Sequence, residues 1–144
     1  MKPYKCYFDG ACEPKNPGGK IGAGVYITYD GKEYSDSIFK EASPGNTNNI
    51  AEYMAFIRVL ELMKAKVDSR IEIFGDSMLV INQMNGEWQI KHGAYREYAL
   101  KAKPLLEELR KKNIVIISWI PRESNEKADY QSMKAVGFER RKWK

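Results

Sequence analysis

The sequence predicts a mixed α/β domain: a five-stranded sheet, three antiparallel strands and then two joined by parallel crossovers, flanked by helices. Three observations predict it. Up to residue 39, apolar residues alternate with small or polar ones around turn-rich segments. From residue 47 onward, stretches with helical spacing appear. Between those stretches lie two short apolar runs, Arg70–Gly75 and Ile114–Ile120, of strand length. Strands followed by alternating helices and strands give a mixed sheet with crossover connections after the third strand.

Tyr4 to Phe8 is short, aromatic and apolar, and it ends at Asp9 before the turn-rich, glycine-containing segment Gly10 to Gly19. Ile21, Ala23, Val25, Ile27 and Tyr29 alternate with smaller or polar residues, Asp30-Gly31 supplies a hairpin turn, and Lys32 to Phe39 returns as a more polar strand near the edge. Thr47 or Asn48 then caps a largely buried helix running to about Lys66. Arg70–Gly75 is a strand, Asp76–Asn85 a helix ended by Asn85-Gly86, and Tyr95 to Leu109 a helical stretch that Pro104 kinks or divides. Ile114–Ile120 is the fifth strand, and Asn125 to about Val136 the final helix.

A chain of 144 residues fits one domain, 1–144, and buries roughly 70% of the surface its unfolded form exposes. Its 24 lysines and arginines against 19 acidic residues leave a charge of +5, which favours a polyanionic partner through counterion release. Cys6 and Cys12 match no zinc spacing and read as free thiols in a reducing compartment. No apolar run approaches the roughly 18 residues of a membrane span, so a cytoplasmic location without membrane contact is expected, with a monomer as the default.

Four acids stand at separate joints of the predicted elements: Asp9, Glu52, Asp76 and Asp129. Glu52, Asp76 and Asp129 fall in or just before first turns of helices, where a negative charge meets free N–H groups and the helix dipole. Asp9 has no such role, because it ends a strand. If the first and fourth strands are adjacent and parallel, Asp9 and Asp76 meet at one sheet edge, where open α/β sheets place their sites. Carboxylates gathered in this way hold hard divalent cations for phosphoryl chemistry.

Ordered motifs sharpen this reading. They are Asp9-Gly10-Ala11-Cys12 with Asn16-Pro17-Gly18, then Thr47-Asn48-Asn49 followed by Glu52. Asp76-Ser77 with Gln83 to Trp88 comes next, then Trp119 to Glu123 with Asn125 and Ala128-Asp129. Together they resemble the type 1 ribonuclease H family, in its order and over nearly the whole chain, specifically its short prokaryotic and archaeal-like branch. The resemblance implies a ribonuclease H-like fold and an endonuclease that hydrolyses the RNA strand of RNA/DNA hybrids, leaving 5′-phosphate and 3′-hydroxyl ends. It implies two magnesium ions, with manganese as a substitute, held by Asp9, Glu52, Asp76 and Asp129. Asp9 would bridge the ions, Glu52 and Asp76 would face one, and Asp129 the other. It also implies that Asn16, Asn48 and Asn49 read the minor groove and that Thr47 helps hold a DNA phosphate. Each of these four also has a plain role as turn residue or helix cap, compatible with substrate contact.

Two departures from longer relatives matter. The catalytic-loop histidine is missing, since the only histidine is His92, and Arg122 occupies the equivalent stretch. Arg122 is therefore expected to assist product release or stabilise charge near the leaving phosphate; an arginine does not act as a base at neutral pH. The basic protrusion is also missing, which leaves Lys91 and the tail Arg140-Arg141-Lys142-Trp143-Lys144 as candidate phosphate contacts, set against a solvated chain end. Double-stranded RNA stays open as a further substrate. A related nuclease for DNA junctions, a noncatalytic nucleic-acid binder and a structural protein with capped helices are the competing classes. Retention of all four acids and of Thr47-Asn48-Asn49 favours the hybrid nuclease.

Overall fold

The computed structural model describes residues 1–137, and the basic tail Arg140 to Lys144 lies outside them. Five strands and four α-helices are found among the described residues, in the order β1 (Pro3–Glu13), β2 (Lys20–Tyr29), β3 (Lys32–Lys40), α1 (Asn48–Met63), β4 (Arg70–Gly75), α2 (Met78–Met84), α3 (Arg96–Lys112), β5 (Ile114–Trp119) and α4 (Glu126–Ala135). A 3-10 turn, Arg122–Ser124, joins β5 to α4. The strands lie side by side as β3-β2-β1-β4-β5, so the third strand is an edge, as expected. β1, β2 and β3 are antiparallel, whereas β4 and β5 add in parallel through helical crossovers. No described helix is long and apolar enough to cross a membrane.

Local chemistry explains most boundaries. Asp30 and Gly31 both take positive φ, 49° and 78°, as a two-residue hairpin turn demands. Thr47 caps α1 by accepting from the Ile50 N–H at 3.2 Å, and Ser77 does the same for α2 from the Val80 N–H at 3.2 Å. Gly86, with φ 78°, follows the Asn85 C-cap and stops α2. Pro104 sits inside α3 without dividing it.

Two expectations need correction. β1 does not end at Asp9. Its antiparallel ladder with β2 continues from Lys5↔Thr28 to Glu13↔Lys20, because Ala11, Cys12 and Ile21 are buried and hold the strand in the sheet. The loop that follows shrinks to residues 14–19. Glu52 lies not in the first turn of α1 but in the second, and no acidic residue occupies that first turn. A helix-dipole role therefore does not account for Glu52.

Successive strand residues point to opposite faces, which places α1 and α4 on opposite sides of β1. Phe8 packs edge-on against Phe56 of α1, with ring centroids 5.4 Å apart, in a core that includes Tyr53, Ile71, Ile73, Leu106 and Ile117. Asp9, one residue on, turns to the other face and meets Ser132 of α4. The approach of α1 depends on Gly10: a Cβ there would stand 2.3 Å from the Ala51 carbonyl carbon and the Glu52 nitrogen. Gly10→Ala is thus expected to cost about 1–3 kcal/mol, as overpacking of a rigid contact does, and urea denaturation would show it as a lower midpoint. An unchanged midpoint would mean that α1 does not press on β1 there.

Candidate active site

The register of the sheet brings the first two acids together. β1 and β4 pair up to Tyr7↔Phe74, so two residues further along each chain Asp9 and Asp76 leave side by side. The Trp119 indole N–H donates to the Asp76 carbonyl at 3.2 Å, tying that corner to β5. Glu52 comes from the helix on the other face. Asp9, Glu52 and Asp76 each offer a carboxylate oxygen, and the three oxygens lie within 4.8 Å of one another. Asp129 stands outside this tight group but lines the same open cavity of about 480 Å³ and is in side-chain hydrogen-bond contact with Asp9.

Burial and mutual repulsion set the electrostatics. Asp9 and Glu52 are only 6% and 5% exposed. Burial, then the charges of Asp76 and Asp129, push the Asp9 carboxyl well above its usual range, against a lowering hydrogen bond from Ser132. Burial, then Asp9 and Asp76, do the same to Glu52, with backbone hydrogen bonding from Gly10 in opposition. Asp76 is raised less, mainly by burial, because a hydrogen bond with Asp9 and the Arg122 charge pull it back. Such a site is short of positive charge.

The donor set fits a hard divalent cation. All ligand atoms are carboxylate oxygens, the kind magnesium and manganese prefer. Glu52 Oε1 is moreover fully buried with no hydrogen-bond partner, an acceptor that a cation would satisfy.

The other expected residues divide into two groups. Asn48, Asn49 and Arg122 line the cavity with the acids, Asn49 and Arg122 being exposed. Asn16 and Thr47 do not line that cavity. Asn16 Oδ1 accepts the Asn48 N–H at 3.0 Å, and the Thr47 hydroxyl is engaged as the α1 cap. His92 and Lys91 are exposed on the connection between α2 and α3 and do not line that cavity.

Three buried polar residues support the site although none was expected as a site residue, Asn125 having entered only as part of a sequence motif. Asn46 donates to the Gly19 and Glu41 carbonyls at 2.9 and 2.8 Å, pinning the β1–β2 loop to the entry of α1. Asn125, at 1% exposure, donates to the Phe8 carbonyl at 2.9 Å and so clamps the start of α4 to the residue before Asp9. Ser132 donates to Asp9 Oδ2 at 3.0 Å. Its place three residues after Asp129, on the same helical face, was the one available signal.

Known proteins share this fold. Residues 7–135 match the family model described as "Reverse transcriptase-like". A "Ribonuclease H" of Francisella philomiragia is 38% identical over 144 residues, covering 90% of this chain and 88% of that one. "Ribonuclease HI" of Halobacterium salinarum is 35% identical over 133 residues, covering 90% and 62%. The chain spans between 30% and 62% of the length of several curated relatives it matches. Among solved structures, LC11-RNase H1 in complex with RNA/DNA hybrid superposes with a TM-score of 0.79 at 32% identity, over 92% of this chain and 96% of that one.

The raised carboxyls have a consequence for stability. A carboxyl that binds its proton more tightly when folded adds stability that is fully present below its unfolded pKa and is lost as pH rises through the folded one. The window therefore opens at the ordinary values of 3.8 for Asp9 and 4.5 for Glu52 and extends upward. In chelator, Asp9→Asn is expected to raise Tm by a few degrees at pH 8 and by less at pH 5, as differential scanning calorimetry would show. A large loss of Tm at both values would mark Asp9 as a structural residue.

Proposed function

Because the chain belongs to the type 1 ribonuclease H family, we propose that it is an endonuclease hydrolysing the RNA strand of RNA/DNA hybrids to 5′-phosphate and 3′-hydroxyl ends. The observation that carries this reading is the convergence of the Asp9, Glu52 and Asp76 oxygens within 4.8 Å, in a cavity that Asp129 also lines. All four acids come from one chain, so a single copy suffices for the chemistry.

In this reading Asp9, Glu52, Asp76 and Asp129 hold magnesium, as two ions, with manganese as a substitute. Cations bound there would supply activation of water and offset charge on the scissile phosphate and its leaving oxygen. Every other contribution falls to the chain's own side chains. Arg122, exposed at the cavity edge, offers guanidinium N–H groups to a phosphate oxygen. Its field already reaches Asp76. From there it stabilises charge on the departing phosphate or assists product release.

Asn48 and Asn49 present amides, which both donate and accept, along the wall by which a duplex would enter. That suits 2′-hydroxyls and base edges in a shallow groove. Asn16 has its Oδ1 engaged by Asn48, so its substrate contact falls to the amide nitrogen. Thr47 reaches a DNA phosphate only alongside its capping role. The net charge of +5 supplies attraction to the backbone, which salt weakens.

Labelled RNA/DNA hybrid, double-stranded RNA and double-stranded DNA, incubated with magnesium, manganese or chelator, test the proposal. Cleavage of the hybrid's RNA strand is expected with either metal, none in chelator, and none by Asp9→Asn. Preferential cutting of double-stranded DNA would overturn the substrate assignment, and turnover in chelator the metal assignment. Arg122→Ala is expected to lower kcat about 100-fold, the scale of losing one donor to developing charge, with less change in KM. A change confined to KM would place Arg122 in binding alone.

A further inference from the structure

We infer that Ser132 is a positioning residue for this reaction, its hydroxyl fixing the rotation of the Asp9 carboxylate around which the other acids gather. Ser132 has no exposed surface and donates to Asp9 Oδ2 at 3.0 Å. The same hydroxyl lies 2.8 Å from the Asp129 carbonyl one turn earlier on α4. A serine hydroxyl has one hydrogen for two acceptors, and a carboxylate ionised by holding a cation takes it in preference to a peptide carbonyl. If the carbonyl held it instead, Ser132 would only brace its own helix.

The backbone is built for this reach. A Cβ on Gly24 of β2 would stand 2.2 Å from the Ala128 carbonyl oxygen and 2.5 Å from the Ser132 nitrogen. The bare glycine lets α4 lie directly on the sheet, close enough for a side chain as short as serine to touch a β1 carboxylate. Asp129, three residues earlier on that helix, arrives at the cavity by the same approach. Asp9 offers a carboxylate oxygen within 4.8 Å of those of Glu52 and Asp76, and through Ser132 it is joined to the helix that carries Asp129. Rotation of its carboxylate therefore decides whether the set presents its oxygens to a common point. Groups that orient metal ligands in this way change metal affinity by about 10–100-fold when removed.

The inference rests on the metal-dependent reading above, and a substrate-free measurement separates the two. Manganese binding is followed by titration calorimetry on the parent and on Ser132→Ala, with Tm recorded in chelator. The parent is expected to bind manganese, Ser132→Ala to bind it about tenfold more weakly, and the two Tm values to agree within a few degrees. Hybrid cleavage by Ser132→Ala should then need more magnesium for half-maximal rate and recover most of its rate at saturation. Equal manganese affinities would overturn the role of Ser132. A collapse of Tm in chelator would do the same, marking a structural residue. A parent that binds no manganese would instead overturn the metal-dependent reading itself.

Discussion

Three carboxylates held within 4.8 Å of one another, two of them almost fully buried, are the constraint around which this molecule is arranged. Left ionised and unpaired, they repel at short range in a medium that screens poorly. Nothing in the local sequence of any one segment favours such a cluster. It exists because the rest of the fold leaves the four segments nowhere else to go. β1 and β4 are locked in parallel register up to Tyr7↔Phe74, Gly10 admits α1, and Gly24 admits α4.

The two faces of the sheet contribute differently. α1 brings Glu52 from the side that also holds the main apolar core, so its position is backed by Tyr53, Phe56 and Phe8. α4 comes from the opposite side, where bare glycines let it lie on the sheet and two polar contacts tie it to β1: Asn125 to the Phe8 carbonyl and Ser132 to Asp9. Buried hydrogen bonds of this kind contribute little net stability but are costly to break, so they specify geometry more than they strengthen the fold. Asp9 is the point where the two supports meet.

Much of this was legible in the sequence. The order of strands and helices, the Asp30-Gly31 turn, the Thr47 cap and the convergence of Asp9 with Asp76 follow from periodicity, turn chemistry and parallel pairing. The failures share a cause: each depends on a tertiary partner. Gly10 to Cys12 reads as a loop because glycine and small residues signal turns, yet here they let one backbone pass close to another and extend the strand. Glu52 reads as a helix-start charge until the true N-terminus of α1 places it a turn later. Asn46, Asn125 and Ser132 look like ordinary turn, cap and surface residues, because composition does not distinguish a buried amide from an exposed one.

Arg122 shows how the site divides between binding cations and meeting substrate. Its charge lowers Asp76, the most accessible of the three clustered acids, while Asp9 and Glu52 stay raised behind it. Were the guanidinium placed deeper, it would neutralise the acids itself and compete with any cation. Placed at the rim and exposed, it leaves the buried pair short of positive charge and faces the solvent from which a polyanion arrives. The cluster's unmet demand for cations and the rim's attraction for phosphate are thus kept apart by one difference in depth. That separation lets a protein of positive net charge hold a negative pocket open.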